Sequence, residues 1–389
     1  MNMSASIAAP NHKDCEIHPG QAQERANRQR VFQSTRLSSI DALRGFDMFW
    51  ITGGTDLVIS FFALVSPAIA PFFRMQFSHP AWSGFTFYDL IFPLFVFMSG
   101  LSIPFSITKR VERGEDKKKL YKHVAIRTLV FFLLGLAYNG ADFDPFAFRI
   151  AGVLQRIAIA SCVAAIIAIN TKARTQLFSI IGILLVYWAI MALVPVPYFG
   201  AGNYTQYGNL AGYVDRLLLP YPEKWCCYEF GDSEGILSTL PAVASAMLGT
   251  LAGQKLQSEV KPLDKVLWLT FSGTLCLSIG FAWNFVFPIN KYMWTSSFVL
   301  FAGGWSMWLL AVFYWIIDVR GFVKWSFFFK VIGSNSILIY LLGGLVGFDF
   351  LEDLLGASSG LDLLVACLDV SARWLFLYLL YRKKWFVKF

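Results

Sequence analysis

The side chains best suited to acid–base chemistry in this sequence are a histidine and an aspartate ten residues apart. His79 lies in the stretch SHPAWSGFTFYDL, and Asp89 is the acidic residue near its end. Imidazole exchanges a proton near pH 7 without a perturbed pKa, and a carboxylate on its second ring nitrogen would fix the tautomer. Because a lone loop histidine is more often incidental, the pair is at this point a candidate, with the incidental interpretation open.

A second ionisable group stands at the start of the first apolar segment. Asp41, Arg44 and Asp47 follow one another at intervals of three residues, which places both carboxylates beside the guanidinium on one helix face. The group predicts either an ion-paired helix start or an anion-binding cluster at the mouth of a bundle. Asp56, roughly 18 Å beyond Arg44 along a helix, would lie near the opposite side.

Further candidates for binding lie in and beside the apolar segments. Gln155 and Arg156 lie inside an apolar segment, where an arginine cannot lose its proton and needs a partner. Asn335 and Tyr340, in SNSILIYL, either cross-link helices or serve a site. Trp82 is as well suited to an interfacial aromatic belt as to stacking on a sugar.

The elements that must position these residues are membrane-spanning helices. Of the 389 residues, 56% are hydrophobic and only 15% are charged, a composition typical of a lipid-embedded chain. Continuous apolar runs argue against a transmembrane β-barrel. The predicted fold is an all-α polytopic bundle of about ten transmembrane helices, at 45–65, 86–107, 124–140, 149–169, 177–197, 236–254, 266–287, 294–317, 327–347 and 362–381.

The basic residues predict how the bundle is oriented. Counted over alternate connections, 26 of the 33 Lys and Arg fall on one side and 5 on the other, so the positive-inside rule places both termini in the cytoplasm. Residues 1–35 are predicted to be a disordered cytoplasmic tail, and 36–389 the transmembrane domain. The connection 198–235 is predicted to be a periplasmic lid or binding element.

Several site classes have no motif here. The sequence holds no P-loop, dinucleotide fingerprint, zincin motif or nucleophile elbow. The six cysteines, including Cys226-Cys227, lack metal-type spacing and are interpreted as structural or incidental. No metal and no nucleic-acid partner is therefore predicted.

Taken together, the polar segments resemble one family. The matching stretches are 36–54, 78–106, 149–160, 212–219, 232–253, 287–299 and 333–341, among them RLSSIDALRGFDMFWITGG, RIAGVLQRIAIA, GYVDRLLL and FPINKYMWTSSFV. They resemble the transmembrane acyltransferases typified by heparan-alpha-glucosaminide N-acetyltransferase, in a compact bacterial form, and occur in the family's order.

The resemblance implies an enzyme that moves acetyl from cytoplasmic acetyl-CoA, as co-substrate, to an amino sugar or glycan acceptor across the bacterial inner membrane. It implies that His79 is the active-site histidine and Asp89 its acidic partner. It also adds binding candidates from the matched stretches, namely Asp215, Arg216, Glu234, Asn290 and Lys291. The other partners that the resemblance implies are membrane lipid and a second copy of the chain, in a homodimer. The large luminal domain and the extra N-terminal span of the animal enzyme have no counterpart, so the acceptor stays open.

Two other functions compete with this one. A sugar or small-solute transporter would use the buried Asp41, Asp47, Asp56 and Arg156 as a substrate or proton path. It would need paired broken helices or an inverted repeat, and the sequence indicates neither. An inactive membrane scaffold is the third alternative.

Overall fold

The computed structural model describes residues 37–139, 149–219, 230–345 and 361–386, with the side chain of Glu112 excepted. The predicted tail 1–35 and Cys226-Cys227 lie outside the described residues. The described part consists of helices joined by loops, with a single isolated β-bridge between Val196 and Gly200. In chain order the helices are α1 (Ser38–Val65), α2 (Ala70–Gln76), α3 (Tyr88–Val111), α4 (Lys117–Asn139), α5 (Val153–Asn170), α6 (Ala173–Leu193), α7 (Leu210–Leu218), α8 (Ile236–Gln257), α9 (Pro262–Trp283), α10 (Ser296–Val319), α11 (Phe327–Ser334), α12 (Ser336–Leu345) and α13 (Asp362–Arg382).

Within these described ranges, nine helices are long and apolar enough to cross a membrane: α1, α3, α4, α5, α6, α8, α9, α10 and α13. The predicted all-α polytopic membrane fold is confirmed. The remaining predicted span, 327–347, is not one helix but the two short helices α11 and α12, which meet at Asn335. The reason is local. All four residues of the run Gly333-Ser334-Asn335-Ser336 are weak helix formers, and its serine and asparagine side chains compete for backbone hydrogen bonds.

Helix α1 begins earlier than its apolar residues suggest and is broken in its middle. Its first turn is capped from a distance, because the backbone N–H groups of Ser38 and Ser39 donate to the two carboxylate oxygens of Asp318 at 3.2 and 3.1 Å, the arrangement that the positive end of a helix favours. The break falls at Thr52 and Gly53, where Gly53 has φ +106°, a conformation that glycine tolerates.

The centre of the bundle is the crossing of α3 with α8. Both helices are mostly buried, and their backbones touch at two glycines: a Cβ on Gly100 would stand 1.8 Å from the Ala246 carbonyl oxygen, and one on Gly249 would stand 1.9 Å from that of Phe97. Close approach through small residues is the usual basis of helix packing in lipid. Helices α4, α6, α9 and α13 are peripheral and leave many apolar side chains exposed, as lipid contact requires.

Hydrogen bonds between helix ends and loops agree with the predicted alternation of sides. Lys330 donates to Ser38, and Tyr121 donates to Asn170, all in the lysine- and arginine-rich set of segments. Trp82 donates to the Tyr204 carbonyl, and Asn290 donates to that of Trp82, all in the sparsely charged set. We call the second set the His79 side. That the opposite side is cytoplasmic stays a prediction.

Candidate active site

A cavity of about 240 Å³ opens beside His79. Its inner wall is apolar and comes from α1, α3, α5 and α12, while its polar groups gather on the His79 side. The polar lining residues are His79, Tyr88, Ser233, Glu234, Lys291, Tyr292 and Tyr340; the apolar ones are Met48, Ile51, Ile91, Phe92, Phe95, Val153, Leu154, Ile157 and Ile337. An apolar cavity with a few convergent polar groups is the usual form of a small-molecule site.

His79, in the wall of this cavity, forms a hydrogen-bonded pair with Asp89 behind it. The His79 Nδ1 lies 2.7 Å from Asp89 Oδ1. Asp89 stands in the first turn of α3, and its other oxygen accepts from the backbone N–H and the hydroxyl of Thr86 at 3.1 and 3.2 Å. Only 1% of the Asp89 side chain is exposed, against 31% for His79. A buried, oriented carboxylate on Nδ1 assigns the proton of a neutral imidazole to that nitrogen and leaves Nε2 as the base.

Lys291 is the third member of this cluster. Its Nζ lies 3.1 Å from His79 Nε2, 3.4 Å from His79 Nδ1 and 3.7 Å from Asp89 Oδ1. Burial lowers the pKa of Lys291, and the nearby carboxylates of Asp89 and Glu234 partly oppose that shift. A cation thus stands within hydrogen-bonding distance of the nitrogen that would act as base.

The loop that carries Lys291 is held by its own polar side chains. The Asn290 side chain donates to the Trp82 carbonyl at 2.9 Å and accepts from the Met293 N–H, also at 2.9 Å, so it fastens this loop to the one that carries His79. Trp294 has φ +50°, a left-handed conformation that is an outlier for a bulky residue. Backbone strain of this kind is kept where surrounding packing imposes it and clusters at functional sites.

The packing that holds Trp294 includes Arg156. The guanidinium lies 4.8 Å from the Trp294 ring centroid and 5.9 Å from that of Phe92, and it donates to the Ser238 hydroxyl. Arg156 is 1% exposed and lies behind the cavity wall. Its observed contacts therefore support the Lys291 loop rather than the cavity itself.

An acidic wall faces the His79 cluster. Glu234 and Ser233 line the cavity at the turn before α8, and the Ser233 hydroxyl donates to Glu234. Arg149 donates to both oxygens of Asp232, at 2.6 and 3.0 Å, and also to Glu234. The bidentate contact fixes this turn and leaves one carboxylate, that of Glu234, in the cavity wall.

The predicted cluster at the start of α1 lies further along the bundle, away from the His79 side. Arg44 is 3.8 Å from Asp41 and donates to the Ser102 hydroxyl of α3 at 3.2 Å. Asp47 is 1% exposed, and neither of its oxygens has a hydrogen-bond partner. The next residues along α1, Met48 and Ile51, line the cavity, so the cluster lies between the cavity and the lysine- and arginine-rich side.

The other predicted binding residues lie outside the cavity lining. Asp56 is exposed on α1 beyond the break, and Asn335 donates to the Trp385 carbonyl at the break between α11 and α12. Gln155 is buried, and its side-chain amide packs directly against the backbone of Gly135 and Gly152, where a larger residue would clash with it. Trp82 stacks on Tyr292, which does line the cavity, at 5.4 Å between ring centroids.

Two of the residues taken from the matched stretches hold the connection around α7 in place. Asp215 accepts from the Ile236 N–H at 2.9 Å and so caps α8, and burial raises its pKa to about 6. Arg216 donates to the Phe230 and Tyr207 carbonyls. These contacts are structural, and they fix the connection that ends at Ser233 and Glu234.

Sequence reasoning missed several lining residues. Tyr88 and Tyr292 are ordinary aromatic residues in apolar surroundings, and Ser233 is a small residue in a turn. Only the position of Tyr88 beside Asp89, and of Tyr292 beside Lys291, could have indicated them. Of the two residues considered in SNSILIYL, Tyr340 lines the cavity and Asn335 does not. No group of three or more His, Cys, Asp or Glu side chains able to hold a metal occurs among the residues that the structure describes.

Comparison with known proteins gives two relatives with the same name. The chain is 28% identical to mouse heparan-alpha-glucosaminide N-acetyltransferase over 91% of its own length and 61% of the relative's. It is 30% identical to the human protein of that name over 80% of its length and 56% of the relative's. The chain thus spans little more than half the length of these curated relatives. No family model matches it.

Fold and site together define a multi-pass α-helical membrane protein with a cavity lined by His79 and Lys291, and with the buried Asp89 hydrogen-bonded to His79 behind that lining. The two relatives support the particular family that the motifs predict, that of heparan-alpha-glucosaminide N-acetyltransferase.

Proposed function

We propose that this protein is a transmembrane acetyltransferase that takes acetyl from acetyl-CoA on the lysine- and arginine-rich side and delivers it to an amino sugar or glycan acceptor on the His79 side. The observation that carries the proposal is the hydrogen bond of 2.7 Å between His79, which lines the cavity, and the buried Asp89 behind it. A partly exposed imidazole with an oriented carboxylate is suited to deprotonating an attacking amine or hydroxyl.

The donor would approach from the opposite side of the bundle. Acetyl-CoA is polyanionic at its nucleotide end, and Arg44 lies on the helix that continues to the cavity residues Met48 and Ile51. Arg127 of α4 lies close enough to Arg44 for the two positive charges to interact. Two neighbouring cations favour phosphate, and the apolar wall beyond them would receive the arm that carries the thioester.

The acceptor would bind between His79 and the acidic wall. Glu234 and Ser233 offer a carboxylate and a hydroxyl in the lining, which suit the amino and hydroxyl groups of a sugar. The stacked Trp82 and Tyr292 lie beside this wall and would contact the sugar ring.

Two routes use the same lone pair on His79 Nε2. In the direct route the imidazole removes a proton as the acceptor attacks the thioester; in the two-step route the imidazole first takes the acetyl group itself. Incubation with labelled acetyl-CoA in the absence of acceptor separates them, because only the two-step route leaves label on His79.

Purified protein with radiolabelled acetyl-CoA and a panel of glucosamine, oligosaccharide and lipid-linked amino sugars tests the proposal. We expect labelled product with at least one acceptor and a loss of about 10²–10⁴-fold in His79→Ala, the range typical of a general base. His123→Ala is the matched control, since His123 is exposed near the start of α4 and outside the cavity. Normal turnover by His79→Ala would exclude both routes.

A transporter of a small polar solute is the second candidate function, because one feature that the sequence did not indicate is present. Helix α1 is broken at Thr52–Gly53, and the segment that forms α11 and α12 is broken at Asn335. Both broken segments contribute residues to the cavity lining. Broken helices around a central site are typical of secondary transporters. Solute uptake by reconstituted vesicles without any acetyl donor would favour this function over acetyl transfer.

A further inference from the structure

The position of Lys291 has a chemical consequence that rests on the proposed acetyl transfer. Attack on a thioester turns its carbonyl oxygen into an oxyanion, and a preorganised donor aimed at that oxygen is often the largest single contribution to catalysis. Arg156 and Asn335 are two of the polar residues that the sequence predicts as binding candidates in the apolar spans. Both lie outside the cavity lining.

Lys291 lies inside the lining, beside the base. Its Nζ is 3.1 Å from His79 Nε2, so an acyl carbon within reach of a nucleophile on Nε2 has its oxygen within reach of Nζ. We propose that Lys291 is a catalytic residue that donates a hydrogen bond from its ammonium to the thioester carbonyl oxygen and to the oxyanion formed from it.

The proposed step balances as follows for an amine acceptor. The acceptor nitrogen forms a bond to the carbonyl carbon, the C=O π electrons move to the oxygen held by Lys291, and the nitrogen's proton passes to His79 Nε2. When the oxyanion collapses, the C–S bond breaks and the proton passes from the imidazolium to the departing sulfur. Lys291 keeps its own proton throughout.

The same geometry explains how the base is kept ready. The Lys291 Nζ is 3.1 Å from Nε2 and 3.4 Å from Nδ1, so it lies beside the ring and away from the direction of the Nε2 lone pair. A bound thioester would offer its carbonyl oxygen to this ammonium while the lone pair stays open to the acceptor's proton. Asp89, 3.7 Å from Nζ, keeps the lysine near the imidazole.

The protonation of Lys291 is controlled by groups from every surrounding element. Asp89 and Tyr88 come from α3, His79 from the preceding loop, Glu234 from the turn before α8, Arg156 from α5, and Tyr292 from its own loop. Burial lowers the pKa of Lys291 from that of an ordinary lysine. Because the ammonium is the active form, kcat is expected to decline on the alkaline side at a pH below the ordinary lysine value.

The test compares Lys291→Met and Lys291→Arg with wild type in the acetyl-transfer assay. Loss of one such donor lowers kcat by about 10²–10³-fold, so we expect that loss in Lys291→Met with a nearly unchanged KM for acetyl-CoA. Lys291→Arg should keep more activity and lose the alkaline decline, since arginine stays protonated. Lys265→Met is the control: Lys265 is buried as well, but its Nζ donates to the Leu256 carbonyl at the far end of α8 and α9.

Three results would overturn the assignment while acetyl transfer itself stands: full kcat in Lys291→Met, a raised KM with unchanged kcat, or an alkaline decline that persists in Lys291→Arg. If Lys291→Met does not fold, the arginine variant and its pH profile carry the test alone. Absence of transfer by wild type with every acceptor would instead contradict the proposed function.

Discussion

At the scale of single residues, the site is defined by how three titratable side chains share one corner of a cavity. Asp89 accepts from Thr86 with one oxygen and contacts His79 with the other, so both of its oxygens are engaged. His79 thereby has one assigned tautomer, with Nε2 available and Lys291 beside it. Each member limits the freedom of the next, which is how a reactive geometry is held without substrate.

Asp89→Asn tests this arrangement. An asparagine keeps the size of the side chain but cannot stabilise an imidazolium, and it can reverse the tautomer. We expect kcat to fall by about 10²–10⁴-fold with little change in protein yield or melting temperature. Asp264→Asn, at an exposed acidic residue in the first turn of α9, should behave as wild type. Equal activity of the two variants would show that Asp89 does not orient the base.

The sequence predicts some residues of the site and not others. His79 and Asp89 were identifiable from residue type, spacing and family resemblance, and the structure places them in contact; their catalytic role stays a prediction. The Lys291 contact joins positions 212 residues apart, and no local pattern reveals such a distance. Tyr88 and Tyr292 were missed because an aromatic residue in an apolar segment carries no signal of its own.

At the scale of elements, close helix packing and distant caps hold the site in place. Helix α3 carries Asp89 at its start and crosses α8 at Gly100 and Gly249. Helix α8 begins beside Glu234 and is capped by Asp215 from α7. The two walls of the cavity are therefore carried by the two most buried helices.

Gly100→Ala tests the packing of α3 on α8. A methyl group there would meet the Ala246 carbonyl oxygen at 1.8 Å, so the helices must move apart. We expect a destabilisation of about 1–3 kcal/mol, seen as a lower melting temperature in detergent. Gly182→Ala in α6 is the matched control, because nothing lies within 4 Å of its added methyl group. It should leave stability unchanged or raise it slightly through helix propensity.

Asp215 gives the capping contact a dependence on pH. Its pKa is about 6 in the folded protein, above the ordinary value, so the folded protein binds this proton more tightly than the unfolded chain. That stabilisation is complete below the ordinary pKa and is lost as the pH rises through 6.

Asp215→Asn, whose amide oxygen can still accept from Ile236, should therefore gain stability relative to wild type between pH 5 and 7.5, by roughly 1–2 kcal/mol. Melting temperatures of the two proteins at both pH values provide the measurement. A difference that does not change with pH would contradict the raised pKa.

The sequence predicts elements well where hydrophobicity decides them and poorly where backbone geometry does. Nine of the ten predicted spans, all except 327–347, overlap single helices. The span predicted at 45–65 begins at Ser38, because Asp318, far along the chain, supplies its cap. The span predicted at 327–347 is broken at Asn335, although its hydropathy is continuous there. Hydropathy measures transfer to lipid and carries no information on φ and ψ.

At the scale of the whole molecule, the basic residues and the candidate active site lie toward opposite ends of one helix bundle. Of the lysines and arginines that the structure describes, most lie on the side opposite His79, Lys291 and Glu234. That basic side is the one on which we propose that acetyl-CoA binds. The cavity and the α1 residues beneath it connect the two regions.

Surface labelling tests the predicted orientation. Tyr198 is fully exposed on the His79 side, and Lys118 is exposed on the opposite side. In intact cells, a membrane-impermeant maleimide should label Tyr198→Cys above the parent protein, and should label Lys118→Cys only after the inner membrane is permeabilised. The reverse pattern would invert the orientation and place His79 on the donor side.

The most direct test of the central claim separates donor and acceptor by the membrane itself. Proteoliposomes would hold an amino-sugar acceptor inside, with labelled acetyl-CoA supplied only outside. We predict that labelled N-acetylated product accumulates inside vesicles of the wild-type protein and not in those of His79→Ala. Product that forms only when donor and acceptor share one compartment would contradict transfer across the membrane through this cavity.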